Sequence, residues 1–202
     1  MPTSQNGWSA SPTLARRPLI VNGVEFIGGI RDDDAVEAVL GYVLKRIDDE
    51  VEPLINPGCW GFSYRANANN PNSLSNHASG TAVDFNAPQH PNGVPTARTF
   101  TTAQVARIHN ILADVDHVIR WGGDYSGTPD AMHLEVVVDQ PTLAAVAARL
   151  EEDQDVSPEQ EDRIVKRVID GLLAAQVGGK TDPATLKQAV NQIRTAVKKP
   201  AK

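Results

Sequence analysis

Ser75-Asn76-His77-Ala78-Ser79-Gly80-Thr81-Ala82-Val83-Asp84-Phe85-Asn86 is a polar loop running into a short strand. From Thr81 to Asn86 the pattern repeats every second residue. Val83 and Phe85 face one way, and Ala82, Asp84 and Asn86 face the other. The apolar face belongs to a core. A carboxylate among small residues on the opposite face implies a shallow polar cleft. Gly80 allows a sharp turn, so His77 can fold back towards that same face.

A second stretch has the same grammar. In Asp130-Ala131-Met132-His133-Leu134-Glu135-Val136, the apolar Met132, Leu134 and Val136 alternate with His133 and Glu135. His133 therefore emerges on a polar strand face, with Glu135 roughly 7 Å further along it. Asp130 precedes the strand, where a loop can lean it over the site. Taken singly, each residue has an ordinary role: His77 as a loop hydrogen-bonder, His133 as a half-buried strand residue, Asp84 as a turn cap. Taken together on two inward-facing polar strand faces, they make a metal site. Two imidazoles and one carboxylate suit zinc and leave a position for water. A further carboxylate nearby would serve as a base towards that water.

The flanking sequence supplies the frame. Leu19 to Ile30 holds two apolar runs broken by Asn22-Gly23, a hairpin signal. Asp32 to Asp34 can cap a helix running to about Val51, with Val36, Val39, Leu40, Val43, Leu44 and Ile47 on one face. Trp60 to Tyr64 reads as a strand, and the Asn-rich segment from Asn67 to Ser75 as a loop. Thr101 or Thr102 starts a second helix through about Val115. Val118–Trp121 and Met132–Val138 read as strands, and Asp139 with Pro141 opens a helix to about Leu150. Helices and short strands mix without regular βαβ alternation. The expected class is α+β, a small, mainly antiparallel sheet flanked by helices.

Composition sets outer limits. The 202 residues carry a net charge of -6, which argues against a nucleic-acid partner. A single cysteine, Cys59, excludes a disulfide framework. No apolar run approaches ~20 residues, so no membrane insertion is expected. Met1 to Ala15 lacks the basic-then-apolar order of a secretory signal. Residues 1–150 hold 16 acidic and 10 basic residues and all the aromatic ones, whereas residues 151–202 hold 9 of each charge. That shift gives three parts: a loose N-terminal segment (1–18), a main domain carrying the metal-site residues (19–150) and a C-terminal tail (151–202). The tail reads as a helical hairpin with a capping box at Ser157-Pro158-Glu159-Gln160, docking on the domain or self-associating.

Ser75-x-His77-x-x-Gly80-x-Ala82-x-Asp84 followed by Asp130-x-x-His133 resembles the zinc D-alanyl-D-alanine carboxypeptidase superfamily. The nearest branch is that of the bacteriophage endolysins, the L-alanyl-D-glutamate endopeptidases. The likeness runs from about Val24 to Leu150, and Trp60-Gly61-Phe62-Ser63-Tyr64-Arg65 resembles the family segment whose Arg precedes the first motif. Many family members carry Glu where this chain has Asp130, and the endolysin branch often has Asp. The resemblance implies one Zn2+ held by His77, Asp84 and His133. It implies that Asp130 takes a proton from the attacking water and passes it to the leaving amine. Arg65 would polarise the scissile carbonyl or hold a substrate carboxylate, Ser75 would orient the metal loop, and Glu135 is the fallback base. A Hedgehog/DD-peptidase-like fold is implied too.

The expected function is hydrolysis of stem peptides of bacterial peptidoglycan by a phage enzyme for host lysis. It would be held in the host cytoplasm until the membrane is breached and act thereafter at the cell wall. A D-alanyl-D-alanine carboxypeptidase of wall metabolism and a non-catalytic zinc-containing module of the same fold are the alternatives. Trp121 and Tyr125, around Gly122-Gly123, either wall the cleft and stack on substrate or simply pack. Cys59 as a nucleophile is disfavoured, because no helix start follows it to lower its pKa.

Overall fold

The computed structural model describes residues 2–68 and 70–154. Backbone contacts divide the chain into two units, Met1–Leu150 and Glu151–Lys202. The expected tail hairpin and its capping box at Ser157 lie outside the described residues.

The chain opens with two ribbons. β1 (Arg16–Arg17), β2 (Ile20–Val21), β3 (Val24–Glu25) and β4 (Ile30–Arg31) pair as β1 with β4 and β2 with β3, both antiparallel. The β2–β3 turn is Asn22-Gly23, with both residues at positive φ, as the hairpin signal requires. α1 (Asp34–Glu50) follows. Its N-cap is Asp33, whose carboxylate accepts from the amides of Ala35 and Val36 and so satisfies two donors that the helix cannot. Its apolar stripe from Val36 to Ile47 is buried throughout.

β5 (Ala66–Asn67) and β6 (Asn70–Leu74) then form an antiparallel ribbon where the sequence reads as a loop. The reason is that this ribbon is mostly exposed and held by backbone pairing and Asn side chains, so no apolar alternation announces it. Trp60–Tyr64, expected as a strand, pairs through Trp60 alone. β7 (Ala82–Asp84), α2 (Thr102–Asp114), β8 (Ile119–Trp121), β9 (His133–Val136) and α3 (Gln140–Gln154) complete the order. α2 begins with a full capping box, Thr101 with Gln104.

The central sheet is antiparallel in the order β7-β9-β8. Its register pairs Val83 with Leu134 and Trp121 with Leu134 on one face, and Asp84 with His133 and Arg120 with Glu135 on the other. The first face packs into a core that includes Val39, Val43 and Leu44 of α1 and Ile108 and Ile111 of α2. The second face is the polar one read from the sequence. The architecture is the expected α+β class. No helix among the described residues is long and apolar enough to cross a membrane.

The N-terminal segment departs from expectation. It is pinned to the domain rather than loose. Ser4 and Trp8 are buried. Ser4 Oγ donates to Ser79 Oγ at 2.7 Å, Asn6 Nδ2 to Val136 O at 2.9 Å, and Trp8 Nε1 to Val138 O at 2.8 Å. The Ser-, Pro- and Asn-rich composition resembles that of a free terminus because its anchors are polar, and polar anchors leave no hydrophobic period.

Gly80 closes the short 3-10 turn Asn76–Ser79 at φ 68°, and a Cβ there would meet the Arg31 amide nitrogen at 2.5 Å. Gly80→Ala should therefore destabilise the domain by more than the ~1–2 kcal/mol of a left-handed L-residue alone. The check is the urea midpoint at unchanged slope; an unmoved midpoint would show that the turn relaxes freely.

Candidate metal centre

Three segments bring three side chains together. Ser75 caps the Asn76–Ser79 turn by accepting from the His77 amide, which sets His77 just ahead of β7. Asp84 ends β7, and His133 sits directly opposite it at the start of β9. His77 Nε2 lies 3.1 Å from His133 Nδ1, His133 Nδ1 lies 2.9 Å from Asp84 Oδ1, and His77 Nε2 lies 3.2 Å from Asp84 Oδ1. All three residues are buried. Ligand atoms about 2.0–2.1 Å from a tetrahedral zinc are themselves separated by about 3.3–3.4 Å, so the triangle is within a few tenths of an ångström of that size.

The tautomers decide what the triangle is for. His77 Nδ1 faces Gly61 O at 2.6 Å, and a carbonyl only accepts, so Nδ1 carries the proton. His133 Nε2 faces the Glu135 carboxylate at 3.4 Å, which gives a proton on that nitrogen a partner. With a cation at the centre both inner nitrogens present lone pairs beside the Asp84 oxygen; without one, His133 Nδ1 donates to Asp84 Oδ1 at 2.9 Å. Outer-face partners such as the Gly61 carbonyl and the Glu135 carboxylate orient metal-binding histidines.

The field of the site agrees. Burial alone would lower the His133 pKa, but the hydrogen bonds to Asp84 and Glu135 outweigh it and push it up to about 10. Burial would raise Asp84, yet His77 and His133 hold its carboxyl well below the usual range. The site is built to stabilise positive charge at its centre.

Glu135 is no free base. Burial opposes ionisation, but His133, Tyr125 and Arg120 bring its pKa down to about 2. Its oxygens accept from Asn76 Nδ2, from Arg120 and from the Tyr125 hydroxyl, the last at 2.5 Å. A carboxylate so fully occupied orients His133 and cannot collect another proton. Tyr125 thus reaches the site through Glu135, and the same bond helps keep its phenol protonated, its pKa raised chiefly by burial and then by that carboxylate.

Asp130 has the opposite character. It lines a pocket of about 180 Å³ with Arg65, Ser75, His77, Asp84 and His133. Its Oδ1 is buried without a hydrogen-bond partner, and burial raises its pKa. Arg65 lies at the exposed lip of the same pocket, its guanidinium 3.5 Å from the Ala66 carbonyl.

Trp121 leaves the substrate reading. It is fully buried, bonds Ala131 O through Nε1 at 2.7 Å, and meets Phe100 edge-on. Strand parity explains this: Arg120 points to the polar face, so Trp121 must point to the core. Cys59 is buried and its thiol is pushed up by desolvation, which removes it as a nucleophile. Sequence reasoning missed four contributors. Gly61 acts through a carbonyl, which no side-chain motif reveals. Asn76 and Arg120 act on Glu135, and Arg120 was legible from its place opposite Glu135 in a two-residue alternation. Asn92 comes from a distant loop to hydrogen-bond Asp130.

Trp121→Ala should cost about 3–5 kcal/mol of stability in urea unfolding, as for a large buried aromatic. A midpoint equal to that of the parent chain would place Trp121 outside the core.

A family model described as D-alanyl-D-alanine carboxypeptidase matches residues 68–136. No match emerged among curated proteins or among solved structures. The matched segment holds His77, Asp84, Asp130 and His133. The match spans 69 of the 202 residues and takes in the His77-Asp84-His133 cluster, a group that could hold a metal ion.

Proposed function

We propose that the chain is a zinc-dependent peptidase that cleaves stem peptides of bacterial peptidoglycan, in the manner of a phage endolysin. The observation that carries this reading is the convergence of His77, Asp84 and His133, one ligand atom from each lying within 4.8 Å of the others, all three residues buried. Asp at position 130 is the residue of the endolysin branch that the sequence resembles.

His77, Asp84 and His133 would hold the ion. When bound, zinc supplies a water of lowered pKa and a Lewis acid for the amide carbonyl. Asp130 accepts the proton of the attacking water and returns it to the departing amine. Burial raises its pKa, and a carboxylate that holds a proton more readily is a better acceptor from water. Arg65 at the lip meets the carbonyl oxygen as negative charge develops there, or a carboxylate of the peptide. Glu135 keeps His133 in the tautomer that the ion needs.

Purified cell walls provide the test. The zinc-loaded chain should release free amines, a chelator should abolish release, and added zinc should restore it. Asp130→Ala should keep one zinc per chain and lose about 10²-fold or more of its turnover. Equal release with and without chelator would overturn the metal mechanism, and full activity of the variant would move the base elsewhere.

Glu135→Gln tests the supporting network. Its zinc affinity should fall about 10- to 100-fold in a competitive chelator titration. An unchanged affinity would show that Glu135 does not set the His133 tautomer.

The matching family's description favours a second cut, removal of a terminal D-alanine. Fragment masses from one digest separate the two: an exopeptidase releases free D-alanine, and an endopeptidase releases a peptide of several residues.

A further inference from the structure

Trp60 and Ile27 stand exposed at 39% and 49%. Their position follows from backbone pairing. The Trp60 amide donates to Asp84 O and the Asp84 amide to Trp60 O, both at 2.8 Å, so the two residues are direct antiparallel partners. Ile27 pairs with Trp60 on its other side, in parallel. His133 pairs with Asp84 across β7 and β9. Direct partners present their side chains to one face. His133, Asp84, Trp60 and Ile27 therefore form a single row across four neighbouring segments. Neighbours lie about 4.8 Å apart, which puts the indole one step and the isoleucine two steps from Asp84.

A groove of about 330 Å³ follows this row. Ile27, Trp60 and Phe62 line its apolar side, and it shares Arg65, His77 and Asp84 with the metal pocket. Phe62 is covered by the Arg16 guanidinium at 4.6 Å. Among the described residues, no ring or cation covers Trp60 in the same way. An indole held rigidly by its backbone and left open beside a cleft is pre-organised to bind an apolar group with little ordering cost.

We propose that Trp60 and Ile27 form a specificity subsite for an aliphatic side chain of the peptide substrate, roughly one to three residues from the scissile bond. The proposal rests on the peptidase reading above. The apolar pair of Ile27 and the indole selects an aliphatic side chain as the occupant. An extended peptide advances about 3.3 Å per residue, so one and two strand spacings of about 4.8 Å correspond to roughly one and a half and three residues of chain.

The experiment uses the zinc-loaded full chain with a soluble stem peptide lacking sugar, and with the same stem on glycan. Trp60→Ala should raise KM about tenfold or more on both substrates with kcat little changed, the pattern of lost uniform binding. Ile27→Ala should act in the same direction, more weakly, and Trp60→Phe should recover most of the loss. A binding readout guards against misfolding of the Trp60 variant. Trp8 and Trp121 are 8% and 0% exposed, so peptide added to the Asp130→Ala chain should change fluorescence through Trp60. That change should vanish when Trp60→Phe is added. An unchanged KM in both Ala variants, or a fluorescence change that survives Trp60→Phe, overturns the subsite. A KM rise confined to the glycan-linked stem overturns the peptide occupant in favour of a sugar platform. Failure of the parent chain to hydrolyse either substrate overturns the peptidase reading itself, and the subsite with it.

Discussion

The pairing of Asp84 with His133 across β7 and β9 is the constraint on which the rest depends. It joins a carboxylate and an imidazole through the most rigid connection a protein has, an antiparallel backbone ladder. Everything else at the centre adjusts to that pair. The Asn76–Ser79 turn brings His77 in from one side, and Glu135, two residues along the same strand, fixes the imidazole from behind. The core face of the same strands is closed by Val83, Leu134 and Trp121. The apolar packing that stabilises the sheet also fixes the direction in which its polar side chains point.

Two carboxylates in this small space behave in opposite ways, and their surroundings explain why. Glu135 is buried but saturated with donors, so it stays ionised and inert to proton traffic. Asp130 is half-buried with one buried, unpartnered oxygen, so its proton is held more readily. Burial alone does not assign a chemical role to a carboxylate; the number of donors around it does. That distinction moves the base function away from Glu135, which the sequence allows as a fallback.

The legible parts were those written as periodicity or as caps. The two-residue alternation around Asp84 and His133 gives the polar face, the stripe on α1 gives the core, and Asp33 and Thr101 give the helix starts. Trp121 takes its direction from the parity of its neighbour: Arg120 pairs with Glu135 on the polar face, so Trp121 faces the core. The β5–β6 ribbon and the pinned N-terminal segment escaped because both are secured by polar and backbone bonds, which leave no apolar rhythm. Gly61 escaped because a main-chain carbonyl has no letter of its own in a sequence.

The front of the chain bears on the centre through a relay of hydrogen bonds. The Asn6 amide donates to Asn76 Oδ1, Asn76 Nδ2 donates to the Glu135 carboxylate, and that carboxylate faces His133. Trimming the first eight residues, or burdening them with a bulky fusion, would thus loosen an imidazole more than a hundred positions downstream. Work on shortened or tagged versions has to treat this leading stretch as part of the reactive machinery rather than as spare chain.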